Sequence, residues 1–362
     1  MRRLMIQAHT QDPSGILPRY KTQEILVSAA ELGKLPYVKA PHLLFLDEHN
    51  VLIAYKRGTR HNTEPAADWE MFRYNPTTGA ISDRKIVAHL DGFTIQNGEF
   101  ARFSNGDIGL YVDPHFPDSK DKFGLLVYRS LDSGAHFEGG KKLGPINGTE
   151  YVYAFECLTE GETTWMLLTP YRHYQNGSSN VDVVRSDDNG KSWQFVANLT
   201  EAFGNAPINE TSCIRYEDGY IFNTRGLDGI QRMHFTDEAF RLIREVNLTE
   251  TYKFIRAQIG RPRLFERDGG FYFIGRNGMD NMPGRGMKLC LFKFDPESLE
   301  ILYYAILDNY EGAVVPDGYY AMPYFITRDG EVYFNVITYK SLHFRESPPD
   351  LIRLEFRWDE LR

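Results

Sequence analysis

Runs of apolar and aromatic residues alternate with tight polar turns along the whole chain, and the runs come in pairs. The pairs are APHLLFLDEHNVLIAY (40–55), FARFSNGDIGLYV (100–112), YAFECLTEGETTWMLL (153–168), SCIRYEDGYIFNT (212–224), RLFERDGGFYFIG (263–275) and YFITRDGEVYFNV (324–336). A short turn separates the two members of each pair. It runs from Asp47 to Asn50 in the first, and is then Asn105-Gly106, Glu160-Gly161, Asp218-Gly219, Asp268-Gly269 and Asp329-Gly330. Asn-Gly and Asp-Gly between alternating apolar runs predict hairpins, because those residues accept the positive φ of a tight turn.

The last five turn glycines lie 55, 58, 50 and 61 residues apart. A period of this length suits a repeated four-stranded sheet with its loops. Second apolar runs fill the gaps, at FGLLVYRS (123–130), VDVVRS (181–186), MKLCLFKFD (287–295) and LIRLEFRW (351–358). A simple sandwich would place strands every ~8–12 residues, a shorter period. Six small sheets cannot bury both faces alone, but closure into a ring buries them and leaves only short edges. The expected fold is therefore all-β, a six-bladed β-propeller, with residues 1–362 forming one domain.

Composition agrees with strands. Aromatics are 14% of the chain, with 24 Phe and 22 Tyr, residue types that favour strands. The 31 Gly and 18 Pro are scattered as turn punctuation, with no linker or low-complexity stretch. Net charge is −8 with no long Lys/Arg run, so no nucleic-acid partner is expected. An acidic protein that binds an anion must gather its positive charge locally. Cys157, Cys213 and Cys290 are odd in number and match no metal spacing, and read as free thiols. The opening MRRLMIQAHTQDPSG has no apolar core of ~7–15 residues, and no stretch approaches the ~20 apolar residues of a membrane span. As given, the chain reads as cytoplasmic with no membrane partner; secretion is the alternative if a leader was removed. Five N-x-Ser/Thr sites do not decide between them. Neither a metal motif nor a Gly-rich phosphate loop appears, so no cofactor is expected.

Two segments carry a family resemblance. Ser186-Asp187-Asp188-Asn189-Gly190-Lys191-Ser192-Trp193 fits the S-x-D-x-G-x-x-W pattern of the Asp-box, and Ser130-Leu131-Asp132-Ser133-Gly134-Ala135-His136-Phe137 fits it with Phe for Trp. They lie 56 residues apart, at the same place in successive repeats. The chain thus resembles the sialidase (neuraminidase) superfamily. In this motif the Asp and Ser hold a hairpin and the aromatic packs between strands, so Asp132, Asp188 and Trp193 are structural.

The resemblance implies a site on the inner strand of each blade. Val38-Lys39-Ala40-Pro41 stands where the family has F-R-I-P, so Lys39 replaces an Arg that binds the sugar carboxylate. Lysine keeps the charge but loses the planar fork. Glu210 and Arg225, fifteen residues apart across a hairpin, resemble the family's catalytic Glu and second carboxylate-binding Arg. Gly260-Arg261-Pro262-Arg263 resembles the strand of the third Arg, with Arg261 first, Arg263 in reserve and Arg276 a further candidate. Tyr320 stands where the family has its nucleophilic Tyr. The loop after the first hairpin should carry the acid/base, and there Glu64 and Asp68 are the carboxylates, with Arg60 and His61 as substrate-binding candidates and His61 a further proton carrier. A phenol of pKa ~10 is a poor nucleophile at neutral pH. A neighbouring Glu can take its proton, and a neutral phenol avoids repelling a substrate carboxylate.

The implied activity is exo-acting hydrolysis of a glycan that ends in a sugar acid, with an oligosaccharide or glycoconjugate as partner. Three alternatives stay open. One is a propeller glycosidase with two carboxylates, Glu156 and Glu210, resembling exo-arabinanases. Another is a lyase on uronate glycans using His115, His173 or Tyr174. The last is a propeller that binds glycans without turnover.

Overall fold

The computed structural model describes residues 15–18, 20–171, 180–278, 287–309, 318–341 and 347–361. After β1 (Gly15–Ile16) and β2 (Thr22–Val27), the chain folds as a series of antiparallel meanders, strand next to strand in chain order. The first is β3 (Tyr37–Asp47), β4 (Asn50–Gly58), β5 (Ala67–Asn75) and β6 (Ala80–Ala88). The second is β7 (Thr94–Arg102), β8 (Ile108–His115), β9 (Leu126–Ser130) and β10 (Glu138–Lys142). The third is β11 (Tyr151–Glu160), β12 (Thr163–Pro170), β13 (Asp182–Ser186) and β14 (Gln194–Asn198). The fourth is β15 (Ile208–Tyr216), β16 (Gly219–Gly226), β17 (Gln231–Asp237) and β18 (Leu242–Asn247). The fifth is β19 (Gly260–Arg267), β20 (Gly270–Gly278), β21 (Met287–Phe294) and β22 (Ile301–Asn309), with β1 added in parallel to β22. The last is β23 (Met322–Arg328), β24 (Glu331–Lys340) and β25 (Asp350–Arg357), and β2 supplies its fourth strand against β25. Ala67 and Thr94 make a single parallel bridge that merges the first two meanders into an eight-stranded sheet.

The meanders close into a propeller arrangement, and the apolar clusters show how. One cluster joins the second and third meanders through Phe103, Tyr111, Met166 and Val184. Others join the third to the fourth, the fourth to the fifth and the fifth to the last. The largest cluster joins the last meander (Tyr324, Ile337, Leu351) to the first (Leu52, Tyr55, Phe72) and the second (Ile108, Leu110). Each sheet thus buries both faces against its neighbours. Ring closure also rests on β2, whose Glu24 accepts from Arg353 on β25 at 2.8 Å and from the Tyr74 hydroxyl on β5 at 3.1 Å.

Every predicted hairpin forms, but the turn chemistry varies. Positive φ falls on Gly106, Gly161, Gly269 and Gly330 as expected. In the fourth hairpin it falls instead on Glu217 (48°), and Gly219 serves another purpose: a Cβ there would lie 1.9 Å from the Thr236 carbonyl oxygen. The two S-x-D-x-G segments form the β9–β10 and β13–β14 turns and make matching hydrogen bonds. The Gly134 and Gly190 amides each donate to the Ser130 or Ser186 hydroxyl at 2.8 Å. Those hydroxyls donate to Asp132 and Asp188 in turn. Each turn packs against the preceding meander: a Cβ on Gly190 would meet the Phe103 ring at 2.2 Å, and one on Gly134 would meet Leu52 at 2.4 Å.

Gly190 also has a φ of 75°. A side chain there is strained by both backbone and contact, so Gly190→Ala is expected to cost about 2 kcal/mol or more. Urea unfolding measures it, and a midpoint equal to the wild type contradicts the packing described.

Candidate active site

The first strands of the meanders lie side by side and begin at one end of the channel. Near that end nearly every one carries a bulge. Pairing slips between Lys39 and His42 on β3, Ile95 and Gly98 on β7, Tyr151 and Tyr153 on β11, Ile208 and Thr211 on β15, and Gly260 and Arg263 on β19. A bulge re-aims the side chains beside it, and such features gather next to active sites. Left-handed backbone occurs at the same end in residues other than glycine: Ala40 (φ 49°), Arg261 (φ 42°) and Tyr319 (φ 65°). Such conformations cost about 1–3 kcal/mol each and persist where surrounding structure holds them.

Five residues singled out from the sequence meet here: Glu210, Arg225, Arg261, Arg276 and Tyr320. The Tyr320 hydroxyl donates to Glu210 Oε1 at 2.8 Å. Arg225 Nη1 and the backbone N–H of Arg261 both donate to Glu210 Oε2, at 2.8 and 3.0 Å. The strained backbone of Arg261 therefore serves two ends: its amide meets Glu210, while its guanidinium reaches Tyr153 and Glu99. The guanidinium carbons of Arg261 and Arg276 each lie 5.7 Å from the centre of the Tyr320 ring. Gly260 lets Arg276 approach, since a Cβ there would sit 2.7 Å from Arg276 Nη2.

Burial pushes the Glu210 carboxyl upward, but Arg225, Arg261, the Tyr320 hydroxyl and Arg276 outweigh it and hold the group down at about 2. Glu210 is thus an anion at neutral pH, enclosed by three arginines and touching a phenol. Arg225 is partly exposed, and its buried Nε has no hydrogen-bond partner among the described residues.

Joined to this cluster through Arg261 is a second ionic group, in which Arg263 and Glu156 were candidates from the sequence and Glu99 and His42 were not. Glu99 on β7 is buried, and its Oε2 alone receives Arg261 Nη2 at 3.0 Å and Arg263 Nη2 at 2.7 Å, with His42 Nδ1 at 3.3 Å. Arg263 also reaches Glu156 Oε1 at 2.7 Å, and Ser212 donates to Glu156 Oε2 at 2.7 Å. Burial drives His42 down to about 3, so the imidazole is neutral. Burial pushes Glu156 up, with the Arg263 charge opposing and the Glu99 charge adding to the rise. The available signal for Glu99 was its place before the second hairpin turn, comparable to Glu156 before the third.

The other sequence candidates are placed as follows. Lys39 is buried on β3 and donates to Asn62 Oδ1 at 3.0 Å and to the His61 carbonyl at 3.4 Å. The same His61 carbonyl accepts from Lys56 at 2.7 Å. Arg60 is exposed and pairs with Asp118 at 2.6 Å. Glu64 is fully enclosed. It receives the Thr59 and Arg60 amides at 2.7 and 3.1 Å, Gln96 Nε2 at 2.9 Å, and the Lys56 ammonium. It braces the loop from within. Asp68 sits on β5, away from the first strands, and contacts His89 Nδ1 at 2.6 Å. Neither loop carboxylate joins the Glu210 cluster through a contact. His173 and Tyr174 fall outside the described residues. Cys157, Cys213 and Cys290 are free thiols. Among the described residues no group of three or more His, Cys, Asp or Glu is placed to hold a metal ion.

The fold is that of the sialidase and arabinanase propellers. A protein of unknown function from Dyadobacter fermentans superposes with a TM-score of 0.71 at 13% identity, covering 95% of this chain and 99% of that one. The NanB sialidase of Streptococcus pneumoniae gives 0.68 at 12% identity, covering 94% and 71%. The α-L-arabinanase of Penicillium chrysogenum, solved with arabinobiose, gives 0.63 at 12% identity, covering 95% and 100%. No family model and no curated protein matches the sequence.

Proposed function

We propose that the chain is a six-bladed β-propeller hydrolase of the sialidase type, acting from the glycan end on a terminal sugar that carries a carboxylate. The blade count takes the eight-stranded sheet as two blades, since one bridge joins its meanders. The observation that carries the activity is the 2.8 Å hydrogen bond from Tyr320 to Glu210 inside a ring of arginines. In this reading Tyr320 attacks the anomeric carbon while Glu210 takes its proton. Arg225, Arg261 and Arg276 hold the substrate carboxylate, with Lys39 the first-blade cation. An anion among the arginines offsets the charge that keeps Glu210 near 2, so substrate binding raises the basicity of Glu210 when it is needed. Water then releases the sugar from Tyr320 with retained configuration. The two structural relatives named as a sialidase and an arabinanase act on glycans, which supports a carbohydrate substrate.

One observation favours a second reading. Glu156 is pushed up and Glu210 down, and two carboxyls driven apart are suited to acid and base roles. A two-carboxylate glycosidase acting on a neutral sugar would use that pair.

The test is a panel of natural glycans and aryl glycosides, with the first-formed anomer read by NMR. Release of a sugar acid with retention is the expected result. Release of a neutral sugar, abolished by Glu156→Gln and kept by Tyr320→Phe, moves the assignment to the second reading. Binding without any release overturns both.

A further inference from the structure

A glycosidase of the proposed kind needs a group that protonates the leaving oxygen and later takes a proton from water. The first-hairpin loop brings no such group to the Glu210 cluster: Glu64 is enclosed by five donors, and Asp68 sits on β5 with its Oδ1 against His89. The second meander does offer one. His115 ends β8 opposite Thr94, at the same end of the channel as Lys39 and Glu210, and it bridges to Lys122. Its Nε2 lies 3.2 Å from Asp113 Oδ2. Asp113 is fully buried and fixed by the Asn97 amide at 2.6 Å and by the Lys122 ammonium. Burial pushes its carboxyl up, but Lys122 and His115 outweigh that and hold it well below the usual carboxylate range. An ionised carboxylate only accepts, so Nε2 carries the hydrogen and Nδ1 is left to exchange a proton. Among the described residues Nδ1 has no partner, nor is it one of the enclosed orphan nitrogens, and the side chain keeps 9% of its surface open.

Lys122, Tyr153 and Arg261 connect this dyad to the proposed nucleophile. Tyr153 has the Lys122 ammonium 4.9 Å from its ring centre and the Arg261 guanidinium 5.4 Å from it. Its hydroxyl feels both Glu210 and Asp113. Arg261 lies 5.7 Å from the Tyr320 ring.

We propose that His115, oriented by Asp113, is the acid/base group of the reaction. The assignment rests on the hydrolase reading given above. As Tyr320 bonds to the anomeric carbon and Glu210 takes the phenol proton, the His115 imidazolium gives its Nδ1 proton to the departing oxygen. In the second step neutral His115 takes a proton from the attacking water, and Glu210 returns one to Tyr320. The charges facing His115 are Asp113, Lys122 and, from β3, Lys39. Burial, with the two lysines adding to it, lowers its pKa against the pull of Asp113. The protonated form therefore dominates only on the acid side of neutrality, and turnover of poor leaving groups falls as pH rises through that region.

The test compares wild type with His115→Gln on two sialosides, one with an aryl leaving group of low pKa and one linked to galactose. An acid is needed only for the second. The expected result is a loss of about 10²–10³-fold on the galactoside, with much less loss in the first step on the aryl sialoside. Azide should restore aryl turnover and yield a glycosyl azide. Asp113→Asn should show the same pattern more weakly, and urea midpoints identify any variant that fails to fold. Equal losses on both substrates, or no loss on either, overturn the role of His115 alone. Inactivity of the wild type on these and on every glycoside of the panel overturns the hydrolase reading and this role with it.

Discussion

Tyr320→Phe removes one oxygen and is expected to lower kcat/KM on the true substrate by about 10³-fold or more. Phenylalanine keeps the ring beside Arg261 and Arg276, so the walls of the site stay in place. Glu210 loses one hydrogen bond but keeps Arg225 and the Arg261 amide. The stability cost is therefore small, about 1 kcal/mol. A large kinetic loss beside a nearly unchanged unfolding midpoint separates a nucleophile from a packing residue. If turnover stays within tenfold of wild type, Tyr320 does not bond to the sugar. The two-carboxylate reading then stands, and Glu156→Gln becomes the decisive variant.

Glu99→Gln is expected to have the largest effect on stability. One buried oxygen receives two arginines and faces a histidine. Removing its charge leaves Arg261 and Arg263 with a buried surplus, and breaking such a pair from one side costs about 3–5 kcal/mol. The effect depends on pH. Burial raises the Glu99 carboxyl, but Arg263, His42 and Arg261 outweigh it and hold it at about 2, below its ordinary 4.5. A carboxyl whose pKa falls on folding stabilises the protein above its unfolded value, and that contribution is lost as pH drops through the folded one. Wild-type stability should therefore fall between about pH 4.5 and 2, with Glu210 contributing in the same window. The Gln variant should be weaker at pH 7 and lose less on acidification. Urea midpoints across that range measure both, and parallel curves for the two proteins contradict the ledger of charges at Glu99.

The repeat, the hairpins and the all-β class were legible because they are local. Alternation of apolar residues and the Gly-bearing turns act within a dozen residues, and the strand pairs appear where those signals lie. Even there one inference needed correcting. Gly219 was read as a residue for positive φ, whereas its role is to let the Thr236 carbonyl approach. That contact spans two strands, so no window around the turn contains it.

The site was partly legible. Glu210, Arg225, Arg261 and Tyr320 come together from three strands and a loop, and their positions before or after hairpin turns pointed to one end of the channel. Glu64 and Asp68 were chosen as the carboxylates of the loop that follows the first hairpin. Membership of a loop carries no information on whether a carboxylate turns inward to brace that loop, as Glu64 does through Lys56 and two amides.

By itself, then, the sequence determined the strand pairs, the repeat and the residue types delivered to one end of the ring. Tertiary structure alone decided which of those residues touch. The physical reason lies in the bulges. Alternation of side chains is a rule of period two, and one extra residue in β3, β7, β11, β15 or β19 breaks it at the end where the chemistry would sit. Glu99, Arg261 and Arg263 acquire their partners only when neighbouring sheets close around the channel.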